Sequence, residues 1–175
     1  MKSLTYLIVL YALLLVSCKS DKTAPREAVT TGLVSSISLK EIWSTPASLL
    51  VTPESVLKDD QRAVYYVSCI GKTPPTAQDG DGYISLLDDR GNIISEKWAT
   101  GLDAPKGMGQ SRDLLYVTDI NDLVTIDKKT GEVVDKVAVE GAIFLNDISV
   151  GPMGTLFMTD MATNTVYTYK GGQLA

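Results

Sequence analysis

Beyond residue 35 the chain alternates apolar and polar side chains in short runs, each closed by Gly, Pro, Asn, Asp or Lys. No stretch there holds a helical period over three turns. Alternation at period two is the pattern of a half-buried strand. The runs also recur. Tyr66-Val67-Ser68-Cys69, Tyr116-Val117-Thr118-Asp119 and Phe157-Met158-Thr159-Asp160 align, 50 and then 41 residues apart. Upstream of each lies a second match, at Pro53-Glu54-Ser55-Val56, Pro105-Lys106-Gly107-Met108 and Leu145-Asn146-Asp147-Ile148. Downstream lies a third, at Tyr83 to Leu87, Leu123 to Ile126 and Val166 to Tyr169, each followed by a turn. A fourth run, Ile93 to Trp98 and then Val133 to Val139, closes the first two units, and the third reaches GGQLA where its own would begin.

Four short antiparallel strands repeated every 40 to 50 residues are the pattern of a β-propeller blade, so the expected fold is all-β, with about three blades present of a ring that closes with four to eight. The blades are placed at about 53–100, 103–140 and 144–175. The run Leu39 to Thr45 matches Ile94 to Thr100, Trp included, so 37–43 is read as the last strand of a closing blade. Three blades are too few for a closed ring. The chain is therefore expected to be a fragment of a longer propeller or, failing that, to self-associate.

The N-terminus has a different pattern. Lys2 precedes an uncharged, Leu-rich run, Leu4 to Val16. That run is short for a bilayer core of about 30 Å, and reads as a secretory leader over 1–17. The sequence Leu-Val-Ser-Cys resembles the lipobox of bacterial lipoproteins, which implies that Cys18 is acylated and holds the mature chain to a membrane. Residues 18–35 are polar, with Pro25, Gly32 and many Ser and Thr, and read as a flexible tether. Lys19 is not the acidic residue that commonly retains lipoproteins at the inner membrane. The expected location is thus the bacterial cell envelope, outer membrane before inner.

Composition narrows the chemistry. There is no histidine, which removes Ser-His-Asp and Cys-His nucleophiles, HExxH metal sites and any imidazole base. Without Lys2 the chain carries 15 basic and 21 acidic side chains and no basic cluster, which argues against nucleic acid as a partner. With Cys18 acylated, Cys69 is the remaining thiol, so no disulfide framework is available.

The stretches ESVLKDDQRAVYYVSC, DGDGYISLLDDRGNIISEKWATGLDAPKGMG, LLYVTDINDLVTIDKKTGEVV and FLNDISVGPMGTLFMTDMATNTVY resemble the regucalcin/gluconolactonase-type six-bladed propellers, over about residues 37 to 175. The resemblance implies one divalent cation (Ca²⁺, Mg²⁺ or Zn²⁺) held by oxygen ligands, with Glu54 and Asn146 at ligand positions and Asp147 placed to meet substrate. Lys106, at the same repeat position, departs from that pattern by putting a cation at the channel mouth. The family's later ligands would lie beyond Ala175, and no catalytic residue is assigned. The expected function is an envelope-anchored propeller lipoprotein that binds a small-molecule or protein ligand at its channel face, with Lys106 and Asp147 as contacts. The alternative is a metal-dependent sugar-lactone or ester hydrolase, so whether the chain is an enzyme stays open. The Asp79-Gly80-Asp81-Gly82 stretch lacks the full calcium-loop pattern and reads as a turn. The Asp residues at 119 and 160 read as turn caps.

Overall fold

A computed structural model describes residues 38–72 and 74–175. The leader at 1–17, Cys18, the tether to residue 35 and residue 37 lie outside the described residues. All strands belong to one compact unit, Glu41–Ala175. They form three separate four-stranded antiparallel sheets.

The first sheet comprises β1 (Pro53–Asp59), β2 (Val64–Cys69), β3 (Gly82–Asp88) and β4 (Ile93–Leu102), paired in that order. The second comprises β5 (Pro105–Ser111), β6 (Leu114–Asp119), β7 (Asp122–Asp127) and β8 (Val133–Ala138). The third comprises β9 (Leu145–Val150), β10 (Leu156–Asp160), β11 (Thr165–Lys170) and the two-residue β12 (Gln173–Leu174). Every strand pairs with the next along the chain, and the connections within each sheet are short except for the link of twelve residues between β2 and β3.

The sheets pack in sequence, first on second and second on third, through the inner strands β1, β5 and β9. Each therefore has two faces with different duties. Tyr66, Ile84 and Leu57 of the first sheet meet Met108, Leu115, Val117, Val124 and Ile126 of the second. The opposite face of the second, carrying Tyr116 and Leu123, meets Leu145, Ile148, Leu156 and Met158 of the third. The second sheet is thus covered on both sides, and β7 is correspondingly a continuous buried run, Leu123 to Thr125 and Ile126, rather than an alternating one. Each fully buried Leu, Ile or Val contributes about 1.5–3 kcal/mol, and these two interfaces hold most of them.

The expected propeller is corrected by this arrangement. The described residues form three separate sheets that do not close into a ring or curl into one. Alternation specifies which strands pair and which face is buried within a sheet, but closure depends on the angle between successive sheets, and periodicity carries no information about that angle. The segment matched to a closing strand has no regular secondary structure over residues 38–46. From Trp43 to Leu50 it runs along the outer face of the first sheet, where Trp43 meets Tyr65 edge-on at 5.5 Å and Leu50 packs on Val67, Cys69, Tyr83 and Leu87.

Candidate functional site

Each inner strand carries one irregularity at the same place. Pairing jumps between Pro53 and Ser55 in β1, between Pro105 and Met108 in β5, and opposite Met158 and Asp160 in β9. One extra residue is accommodated each time, which is a β-bulge, and a bulge bends the strand and redirects the side chains beside it. The residues at these bulges are Glu54, Lys106 with Gly107, and Asn146 with Asp147. Repeated local geometry therefore brings together the residues that the sequence puts at one repeat position.

Lys106 is the centre of this group. Its side chain is 1% exposed, its ammonium donates to the Ala104 carbonyl at 2.8 Å, and it lies 4.4 Å from the centre of the Phe144 ring. Burial pushes its pKa down, against the opposing pull of Asp119 and Glu54. Glu54 is exposed, and partial desolvation followed by the Asp147 charge pushes its carboxyl up, while Lys106 works the other way. Asp147 is exposed on the other side, its backbone N–H donating to Thr159 Oγ1 at 3.1 Å. Asn146 is half-buried, and its backbone carbonyl accepts from the Thr118 hydroxyl, which ties β9 to β6.

The chemistry of this end is a buried ammonium near one buried carboxylate, Asp119, and one solvent-facing carboxylate, Glu54. Lys106 is too enclosed to act as a nucleophile at the surface. Its charge is met by those of Asp119 and Glu54. Among the described residues no group of three or more His, Cys, Asp or Glu side chains is gathered to hold a metal ion.

The neighbouring acids are structural. Asp160 is buried, and burial alone would raise its pKa, but four backbone N–H groups hold it below the usual carboxylate range. Ile143 and Phe144 donate to its Oδ2 at 2.7 and 3.1 Å, and Ala162 and Thr163 to its Oδ1 at 2.8 and 3.0 Å. It therefore caps the following turn, as its position after Thr159 predicts, and also holds the loop entering β9. Asp119 accepts instead from Asp103 and Ala104, in the loop entering β5, at 2.9 and 2.7 Å. Burial raises its pKa more than those bonds and the Lys136 ammonium lower it. The Asp79–Gly82 turn is held by Gly80 donating to Asp103 at 3.0 Å and by Lys72 donating to Asp81 at 2.9 Å. Cys69 is buried and its thiol pKa is pushed up by burial, the opposite of what a nucleophile needs.

A second feature escapes the sequence. On the third sheet Phe157, Thr159 and Val166 lie on a face that no other sheet covers among the described residues; Phe157 is 40% and Val166 60% exposed. The equivalent positions on the second sheet are Tyr116, Thr118 and Leu123, which pack on the third sheet. A 590 Å³ cleft lies at the opposite end of the sheets from Lys106, lined by Arg112, Tyr116 and Met153 among others.

No protein-family model matches the chain, and no curated protein does. Among solved structures it is similar to a chain in the crystal structure of the Nidogen/Laminin complex, with a TM-score of 0.53 and 19% identity over 69% of this chain. The match takes in 44% of that chain's length, less than half of it. At that identity the likeness concerns fold alone. The regucalcin/gluconolactonase resemblance is corrected accordingly: the structural likeness lies elsewhere, and the described residues form three separate sheets rather than the ring that would carry the family's site. With it go the anchored propeller that binds at a channel face and the metal-dependent lactonase. The first lacks its channel, and the second lacks a gathered set of acidic ligands among the described residues. Among those residues no helix is long and apolar enough to cross a membrane.

Proposed function

We propose that this protein is a non-enzymatic interaction module, tethered to the bacterial cell envelope through acylated Cys18, whose third sheet takes a protein partner on its open face. The observation that carries the reading is the positional repeat between Phe157, Thr159 and Val166 and the packed set Tyr116, Thr118 and Leu123. A face built like one that packs on a sheet is suited to receive a sheet. Exposed apolar side chains gathered on such a face mark an interaction surface more often than scattered ones do.

The tether and the outer-membrane location rest on the leader pattern and the lipobox resemblance.

The test is a photo-reactive residue placed at Val166 in the native host, with a second at Val134 on β8 of the second sheet as control. A cross-linked protein species at Val166 and not at Val134 supports the reading. An uncross-linked product at both positions sinks it.

A further inference from the structure

We propose that the cleft between the second and third sheets, at the end away from Lys106, binds a small aromatic carboxylate, with Arg112 receiving the carboxylate and Leu114, Tyr116 and Met153 holding the ring. The site is separate from the open face of the third sheet and does not rest on the interaction-module reading.

The two joints between sheets share one register but are finished differently. Asp59 pairs with Val64 at the end of β1, and Ser111 pairs with Leu114 at the end of β5, so Ser111 holds in the second sheet the place of Asp59 in the first. Gln110 lies opposite Leu115 as Val150 lies opposite Leu156. Ile126 and Tyr169 face those same two residues from the other side, which puts Lys128 and Gly171 at one position. In the first joint these positions form a closed polar lock, with the Lys128 ammonium 2.9 Å from both Asp59 Oδ2 and Gln110 Oε1. In the second joint they are Ser111, Val150 and Gly171, which cannot form such a lock. The opening there is 590 Å³, against 250 Å³ around the lock, and is of a size that suits a small molecule.

The lining supplies the chemistry. Ser111, Arg112 and Tyr116 border the cleft, and among the described residues none of their side-chain donors has a hydrogen-bond or ion-pair partner. The acids near Arg112 are engaged elsewhere: Asp113 with Arg62, Asp59 with Lys128 and Arg62, and Asp60 with Lys58. Arg112 is therefore the cleft's unpaired charge. A guanidinium with two hydroxyls in the same wall is a donor set for a carboxylate.

The ring's place is marked by apolar groups. Leu114 and the Tyr116 ring belong to the second sheet, and Met153 comes from the turn between β9 and β10 of the third. Met153 is 84% exposed and has φ +57°, in the left-handed region that a residue with a side chain seldom takes. The strained turn Pro152–Gly154 thus holds a flexible thioether at the mouth of the cleft, where sulfur and the Tyr116 ring can pack on a flat aromatic ligand.

Isothermal titration calorimetry of the purified full chain with naphthoate should show saturable binding. The uncharged naphthamide and the ring-free octanoate should each bind about tenfold more weakly or worse. Arg112→Gln should weaken naphthoate binding by about the same factor and leave the denaturant midpoint unchanged. Ser111→Asp, which puts the counterpart of the Asp59 carboxylate next to Arg112, should do likewise. Amide NMR shifts on adding naphthoate should centre on residues 111–116 and Pro152–Gly154. No saturable binding, equal binding of naphthamide, indifference to both variants, or shifts centred elsewhere would overturn the site. Octanoate bound as tightly as naphthoate would overturn the aromatic class of its ligand.

Discussion

The ammonium of Lys128, just beyond β7 of the second sheet, lies 2.9 Å from Oδ2 of Asp59 at the end of β1 in the first, with both side chains no more than 3% exposed. Gln110 completes the lock: its Oε1 accepts from Lys128 at 2.9 Å and its Nε2 donates to the Lys58 carbonyl at 2.9 Å. Arg62 reaches Asp59 from the solvent side at 3.2 Å. Breaking the pair removes a buried charge-assisted hydrogen bond but leaves Asp59 with Arg62 and with the backbone N–H groups of Gln61 and Arg62. Lys128→Met should therefore lower stability by about 1.5–3 kcal/mol, read from the denaturant midpoint. Asp59→Asn combined with Lys128→Met should cost clearly less than the sum of the two single changes.

The same carboxylate predicts acid sensitivity. Burial works to raise the Asp59 pKa, but Lys128 and the Arg62 backbone and side chain hold it below its ordinary 3.8. A carboxyl depressed in the folded state adds stability above its unfolded pKa, and that stability is lost as pH falls through the folded value. Stability should be level near neutrality and decline below about pH 4. Asp59→Asn should flatten part of that decline in a urea titration repeated across pH.

Lys106 and Glu54 are coupled in opposite senses, and the coupling can be measured directly. Removing the ammonium in Lys106→Met should move the Glu54 carboxyl further up, and removing the like charge in Asp147→Asn should move it down. Carbon-detected NMR titration of Glu54 reads both shifts. No change in either variant would mean that the three groups do not share one electrostatic environment.

Gly131 has φ +80° and the Trp98 carbonyl against its open side, so Gly131→Ala must meet backbone rather than a movable side chain. The expected loss is about 1–3 kcal/mol, seen as a lower thermal midpoint.

Asp160→Ala would orphan four backbone donors in two loops at once. Loss of about 3 kcal/mol is expected, with amide exchange accelerated first at Ile143, Phe144, Ala162 and Thr163.

Strand positions were legible because alternation is a local property. Tyr83 to Leu87 falls inside β3, Leu123 to Ile126 inside β7, and Val166 to Tyr169 inside β11. The gathering of Glu54, Lys106 and Asn146 at one end was legible for the same reason, since equal positions in equal units are brought into register by the fold. The bulges that gather them were not, because a bulge appears only when one strand is counted against its neighbour. Phe144 over Lys106 and Lys128 on Asp59 were equally hidden. Each pairs residues from segments that no repeat aligns, and the Lys128–Asp59 partners are 69 positions apart.

The sequence by itself determined an all-β chain of four-strand units and the absence of imidazole chemistry, because these follow from side-chain identity and a period of two. Only the tertiary structure decided that the described units form a row of separate sheets rather than a ring, that a buried ammonium sits near Asp119 and Glu54, and that Phe157 and Val166 are exposed among the described residues. Those outcomes depend on how whole sheets pack against one another, where small differences in angle accumulate from sheet to sheet and no residue spacing records them.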